Sequence, residues 1–162
     1  MNFLKLLISY SIKIKIVLKE KSYEQIVSLL KRELSLMYKF RYGYYISKTA
    51  ILQRRKFIKL NKRSEIQDYV IIRSNRNFVK IGKNSQINPF TVIYGGSGVI
   101  IGDNVMIAPN CMIASGNHNY KQLEKPIRLA DNLSKGPIII EDGVWIGANS
   151  VVTDGVKIGQ NA

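Results

Sequence analysis

Aliphatic residues recur at every sixth position through most of this chain, a period that neither an ordinary helix nor an ordinary sheet can use. The series runs Leu60, Ile66, Ile72, then Ile81, Ile87, Ile93, then Ile101, Ile107, Ile113, then Ile140, Ile146, Val152 and Ile158. A helix brings side chains to one face every 3.6 residues and a strand every 2. A period of six suits a solenoid in which each repeat is one short strand and one turn. Three repeats then close a coil, each aliphatic side chain points inward, and successive coils stack to share one core. A β-sandwich fits less well, because its strands recur every ~8–12 residues.

The turns agree with this reading. Ile-Gly-x-Asn occurs at 81–84, 101–104, 146–149 and 158–161. Gly and Asn are the residues that accept backbone conformations with positive φ. The series breaks near Arg73–Lys80, at Gly95–Gly98 and, over the longest stretch, from His118 to Gly136. A solenoid can extrude such insertions without disturbing its core, and extruded loops often carry function.

Charge divides the chain differently. Of 25 Lys and Arg residues, sixteen lie in 1–63, together with only three of the 11 acidic ones. The net charge of +14 therefore belongs almost wholly to the N-terminal segment. Within it, Ile26, Leu29, Leu30, Leu34 and Met37 predict an amphipathic helix over about 23–38. Ser22 and Gln25 fit a capping box at its start. Residues 43–59 read as a connector, so the sequence predicts a basic, largely helical segment at 1–59 and a solenoid at 60–162.

Lys5, Lys13 and Lys15 interrupt the early apolar run, which argues against a secretory signal. The longest uncharged window, 84–102, is too polar for a transmembrane helix. Tyr42, Tyr44 and Tyr45 beside Arg41 and Lys48 lack any nucleic-acid-binding pattern, so no nucleic-acid partner is expected. With one cysteine and one histidine, no disulfide or Cys/His zinc cluster can form within one chain. Cys111 reads as buried filler at a small-residue position. A cytoplasmic setting follows as the expectation, with peripheral contact at the membrane's inner face as an addition.

The repeats, with Gly116-Asn117-His118-Asn119, Lys125-Pro126-Ile127 and Val144-Trp145-Ile146-Gly147, resemble the hexapeptide-repeat acyltransferases, in particular their xenobiotic and saccharide O-acetyltransferase branch. The resemblance covers about 60–162. It implies a left-handed parallel β-helix, a homotrimer with active sites between subunits, and acetyl-CoA as donor with no metal. It also implies that this sequence, ending at Ala162 one repeat into a fifth coil, lacks the family's later coils.

The loop histidine of the family is the general base and corresponds to His118. Imidazole can hold and release a proton near neutrality, which suits that role. Asn88 corresponds to the asparagine that binds the acceptor; its alternative is a turn residue satisfied by backbone. Asn117 and Asn119 either orient the imidazole and contact the acceptor or serve the turn alone. Trp145 precedes an inward residue and should face outward, as a wall of the cofactor groove or as interface packing. Ala148 corresponds to a small residue that lets the pantetheine arm approach the backbone.

The expected function is O-acetyl transfer to a saccharide or similar hydroxyl acceptor. The alternatives are N-acetyl transfer to an amino sugar and a non-catalytic trimeric scaffold. The basic N-terminal segment is expected to cap the solenoid, to dock on anionic membrane, or both, which would suit a lipid-linked acceptor.

Overall fold

The computed structural model describes Ser22, residues 43–75 and residues 77–162. The helix expected over 23–38 lies outside the described residues.

Three parallel sheets of five short strands each form the three faces of a β-solenoid. The first face stacks Tyr45–Ile46, Glu65–Ile66, Gln86–Ile87, Met106–Ile107 and Trp145–Ile146. The second stacks Ile51–Gln53, Ile71–Arg73, Val92–Tyr94, Met112–Ala114 and Val151–Thr153. The third stacks Ile58–Leu60, Val79–Ile81, Val99–Ile101, Ile138–Ile140 and Lys157–Ile158. Through the first four coils most paired residues are 20 or 21 apart, as in Tyr45 with Glu65 and Glu65 with Gln86, and Ile139 and Lys157 in the last pairing are 18 apart. The pairing of Met106 with Trp145 spans the long insertion.

The periodic residues do point inward. Ile66, Ile72, Ile81, Ile87, Ile93, Ile107, Ile113 and Ile140 are completely buried in one continuous core. The first coil starts earlier than the sequence suggested, at Tyr45 rather than Leu60. Ile46 and Leu52 pack against the core and pair with Ile66 and Ile72. The Lys and Arg residues between them disguise this coil as a connector; they occupy turns and outward positions, where charge costs nothing. Counted from Ile46, the chain forms five three-sided coils, and Ile158 lies on the third side of the fifth.

A second difference concerns the third face. It buries two side chains per strand in its middle coils, adding Val79, Val99 and Ile138 to the six-residue series, and Ile58 in the first coil.

The corners explain the turn residues. Asn84, Asn104, Asn149 and Asn161 all adopt positive φ, between 55° and 59°. This conformation aims the backbone N–H at the preceding coil: Asn84 donates to the Lys62 carbonyl, Asn104 to Lys83 and Asn161 to Asp142. Gly82 and Gly102 answer a different need. A Cβ on Gly102 would lie 2.3 Å from Asp142 Oδ1, and one on Gly82 2.2 Å from the Gly102 carbonyl oxygen. That space is filled by an aspartate ladder, in which Asp103 Oδ1 accepts from Lys83 N–H and Asp142 Oδ1 accepts from Asp103 N–H, each at 2.7 Å.

Four corner residues that are neither Gly nor Asn break the rule: Arg54 and Arg63, at φ of 56° and 61°, and the aromatic pair Tyr69 and Phe90. Tyr69 and Phe90 hold φ of 57° and 63°, where bulky side chains are outliers that cost about 1 kcal/mol or more each. They occupy the same corner as Asn110 and Asn149, between the first and second faces.

Candidate active site

All the extra residues between strands fall at one corner, between the second and third faces. Most turns hold four residues; the longer ones are 74–78 in the second coil and 115–137 in the fourth. A short two-stranded antiparallel ladder forms the neck of the last of these, pairing Asn117 with Leu133 and His118 with Asn132. His118 is therefore held by backbone pairing just as the chain leaves the packed coil, where Ser115 is completely buried.

The neck is tied again beyond the histidine. Asn119 N–H donates to the Asp131 carbonyl at 2.8 Å. Gln122 and Asp131 bond reciprocally: Gln122 Nε2 donates to Asp131 Oδ2, and Asp131 N–H donates to Gln122 Oε1 at 2.8 Å. Lys125 Nζ lies 3.6 Å from the same carboxylate. The Gln122 hydrogen bond and then the Lys125 charge hold the Asp131 carboxyl below the usual carboxylate range.

The His118 side chain is exposed and has no hydrogen-bond partner among the described residues. Its backbone N–H donates to Asn117 Oδ1 at 2.9 Å, so Asn117 shapes the turn that presents the imidazole. Asn119 Oδ1 accepts from Lys121 N–H at 3.2 Å, again turn chemistry.

Asn88 lies on a different corner, between the first and second faces, and its Nδ2 donates to the Ile107 carbonyl of the next coil at 2.8 Å. Asn61 makes the matching bond to Ile81 from another corner. Within one chain, Asn88 and His118 are not brought together. Ala148 is exposed on the Asn88 corner, two coils further on, and its N–H donates to no group among the described residues. Trp145 faces outward from the first face, 65% exposed, above Met106. Cys111 is buried, with Sγ 3.1 Å from the Gly147 carbonyl oxygen. No cluster of three or more His, Cys, Asp or Glu that could hold a metal occurs among the described residues.

Two surface features escaped the sequence reading. The second face carries an outward aliphatic row in register, Ile51–Ile71–Val92–Met112–Val151. Its signal was present, since each residue precedes an inward one, but alternation of two apolar residues looks like a buried strand. The loop beyond His118 also exposes Tyr120, Leu123, Ile127 and Leu129, with Leu123 at 89%.

The repeats are similar to those of known proteins. The family "Bacterial transferase hexapeptide (six repeats)" matches 78–115, and "Hexapeptide repeat of succinyl-transferase" matches 137–162. Galactoside O-acetyltransferase of Escherichia coli (strain K12) is 39% identical over 64 residues, 40% of this chain and 30% of that protein. A single-site variant of AntD, an N-acyltransferase from Bacillus cereus, was solved with dTDP-4-amino-4,6-dideoxyglucose and coenzyme A. It matches with a TM-score of 0.65 and 25% identity, over 74% of this chain and 65% of that one. A hexapeptide-repeat acetyltransferase from Vibrio cholerae O1 biovar eltor, complexed with acetyl coenzyme A, matches with a TM-score of 0.52 and 26% identity. That match covers 97% of this chain and 72% of the other. The chain thus spans under a third of the curated relative's length.

Proposed function

We propose that the chain, whose repeats match two hexapeptide transferase families over 78–115 and 137–162, transfers an acetyl group from acetyl-CoA to a saccharide hydroxyl, with His118 as general base. The observation that carries this reading is the exposed imidazole pinned by the 117–118 and 132–133 neck at the edge of a rigid coil. Backbone pairing fixes its root, and no described residue occupies its nitrogens. In the reaction, the acceptor oxygen forms a bond to the acetyl carbonyl carbon and the carbon–sulfur bond breaks. The hydroxyl proton passes to His118 and then to the departing thiolate. The free N–H and small side chain of Ala148 support its assignment beside the pantetheine arm, with Trp145 as the neighbouring wall.

A general base is normally oriented by a partner, and His118 has none within the described residues. This supports a homotrimer in which a neighbouring subunit completes the site, bringing Asn88 of one copy towards His118 of another. The second-face aliphatic row and the apolar loop side chains are the surfaces such an assembly would bury. The first coil, with Lys48, Lys59, the run 54–56 and the pair 62–63 but no acidic residue, favours a lipid-linked acceptor at an anionic membrane surface.

The test is release of the coenzyme A thiol from acetyl-CoA in the presence of candidate saccharides. His118→Ala should lower turnover about 10²–10⁴-fold with an unchanged melting curve. Near-normal turnover would remove His118 from the mechanism. Sedimentation showing only monomer at micromolar concentration would sink the shared site. The likeness to AntD favours a second reading, N-acyl transfer to an amino sugar. An ester product is cleaved by hydroxylamine and an amide is not, which separates the two.

A further inference from the structure

We infer that Tyr69, Phe90 and Asn110 form a carbohydrate subsite that takes one pyranose ring of the acceptor, an inference that rests on the saccharide reading above. Tyr69 and Phe90 lie 21 positions apart, yet their rings stack with centroids 5.1 Å apart and planes 8° from parallel. That separation is close to the ~4.8 Å rise from one coil to the next, so the rings form a column along the solenoid axis. Both are solvent-exposed, at 54% and 56%. Both also hold the positive φ that the same corner gives to asparagine in later coils. Asparagine would meet the backbone requirement at 69 and 90 without strain, so the fold does not call for aromatic rings there. Strain kept at an exposed position points to a function.

The column stops in a way that suits a sugar. Tyr69 covers one face of Phe90, and the other looks toward the next coil. There the corner position is Asn110, and beyond it Asn149. The carboxamides of both make no side-chain hydrogen bond among the described residues. On another corner the equivalent asparagines are paired, with Asn84 Nδ2 donating to Asn104 Oδ1 at 3.1 Å. The result is an apolar ring face with unpaired amides beside it.

A pyranose offers the complement: an apolar C–H face about the size of a phenyl ring, with hydroxyls around its rim. Seated on Phe90 it becomes the third member of the stack and its hydroxyls meet the Asn110 amide. Ordered binding sites pair apolar walls with a few fixed polar groups in this manner. Asn88 stands two residues before Phe90, and Ala148 marks the same corner two coils on. The sugar would therefore lie below the donor, on one corner of one subunit. The His118 that serves it would come from another.

The test uses the full chain and saturation-transfer NMR with four probes, the methyl β-D-pyranosides of galactose, glucose, mannose and glucosamine. Phe90→Asn is the informative variant, because it installs the residue this corner already accepts at 110 and 149. At least one probe should bind the natural chain with saturation strongest on one ring face. Phe90→Asn should weaken that binding about tenfold, the loss for a deleted aromatic contact of about 1.4 kcal/mol. Phe90→Trp should keep it, and Asn110→Ala should weaken it less. The coenzyme A affinity and sedimentation coefficient should not change in any variant.

The proposal is overturned if none of the four probes binds, or if Phe90→Asn binds as well as the natural chain. It is also overturned if Phe90→Asn sediments as a smaller species, which would place the rings between subunits. Coenzyme A binding without any sugar binding would sink the subsite and leave the acyl-donor reading standing. Absence of both would sink that reading too.

Discussion

The His118 loop leaves one corner of the packed coils, yet loop and coils are held by opposite means. In the coils, each inward aliphatic side chain is covered by the coils before and after it, and corner groups bond from coil to coil. The loop is held mainly at its neck, by one two-residue ladder, the Asn119–Asp131 backbone bond, the Gln122–Asp131 clasp and the Lys125–Asp131 ion pair. Beyond it, Leu123 and Leu129 are exposed to solvent. The contrast separates two tasks. The coils supply a rigid frame whose stability is shared among near-identical layers. The loop sets one imidazole at the frame's edge, where a substrate or a neighbouring subunit can reach it.

The comparison can be broken first in the frame. Ile93→Ala should cost about 2–5 kcal/mol, because its neighbours belong to rigid layers that cannot collapse into the cavity. Chemical denaturation would measure it, and a loss below 1 kcal/mol would mean the layers relax. Replacing 119–131 with a short Gly–Ser turn should instead leave the denaturation midpoint nearly unchanged and lower turnover about 10²-fold, since a shift of about 1 Å in a catalytic group has that effect. If this replacement unfolded the coils, loop and frame would not be separable.

A smaller loss is expected from Gly102→Ala. The added methyl would press on Asp142 of the next coil, where the nearest backbone atom lies 2.8 Å from the new Cβ. Overpacking of this kind costs about 1–3 kcal/mol, measurable as a lower melting temperature. Gly159→Ala, with nothing within 4 Å of the added carbon, is the matched control and should be close to neutral.

The smallest effect concerns acid. The Asp131 carboxyl is held below its ordinary value in the folded loop. Its contribution is therefore fully present above the ordinary carboxylate range and is lost as pH falls through the lowered folded value. Protection factors in 119–131, corrected for the intrinsic slowing of amide exchange in acid, should fall as the pH drops through that window while the coil amides stay protected. Equal loosening of both regions would contradict the separation. Asp131→Asn should remove most of the pH dependence.

Much of this was legible in the linear chain because it depends on short-range rules. A period of six dictates which side chains face inward, and Asn84, Asn104, Asn149 and Asn161 announce turns that need positive φ. The place of His118 followed from the one long break in the series. The sequence could not mark the coil at 45–60, whose inward Ile46, Leu52 and Ile58 are masked by outward charge. The doubled core of the third face stayed hidden for a similar reason: Val79, Val99 and Ile138 fall two positions before the regular residue and so look like outward members of a strand.

By itself, then, the sequence determined a three-sided solenoid, its six-residue inward series and the point where the His118 loop departs, because each of these follows from spacing along the chain. Only the tertiary structure decided which side chains meet across coils. The inter-strand distance is 20 residues in one place, 21 in another and 39 where the loop intervenes, as in Met106 with Trp145. Corner loops of different length set that register. For this reason Asn88 and His118 emerge on different corners, and Tyr69 and Phe90 on the same one, in contact.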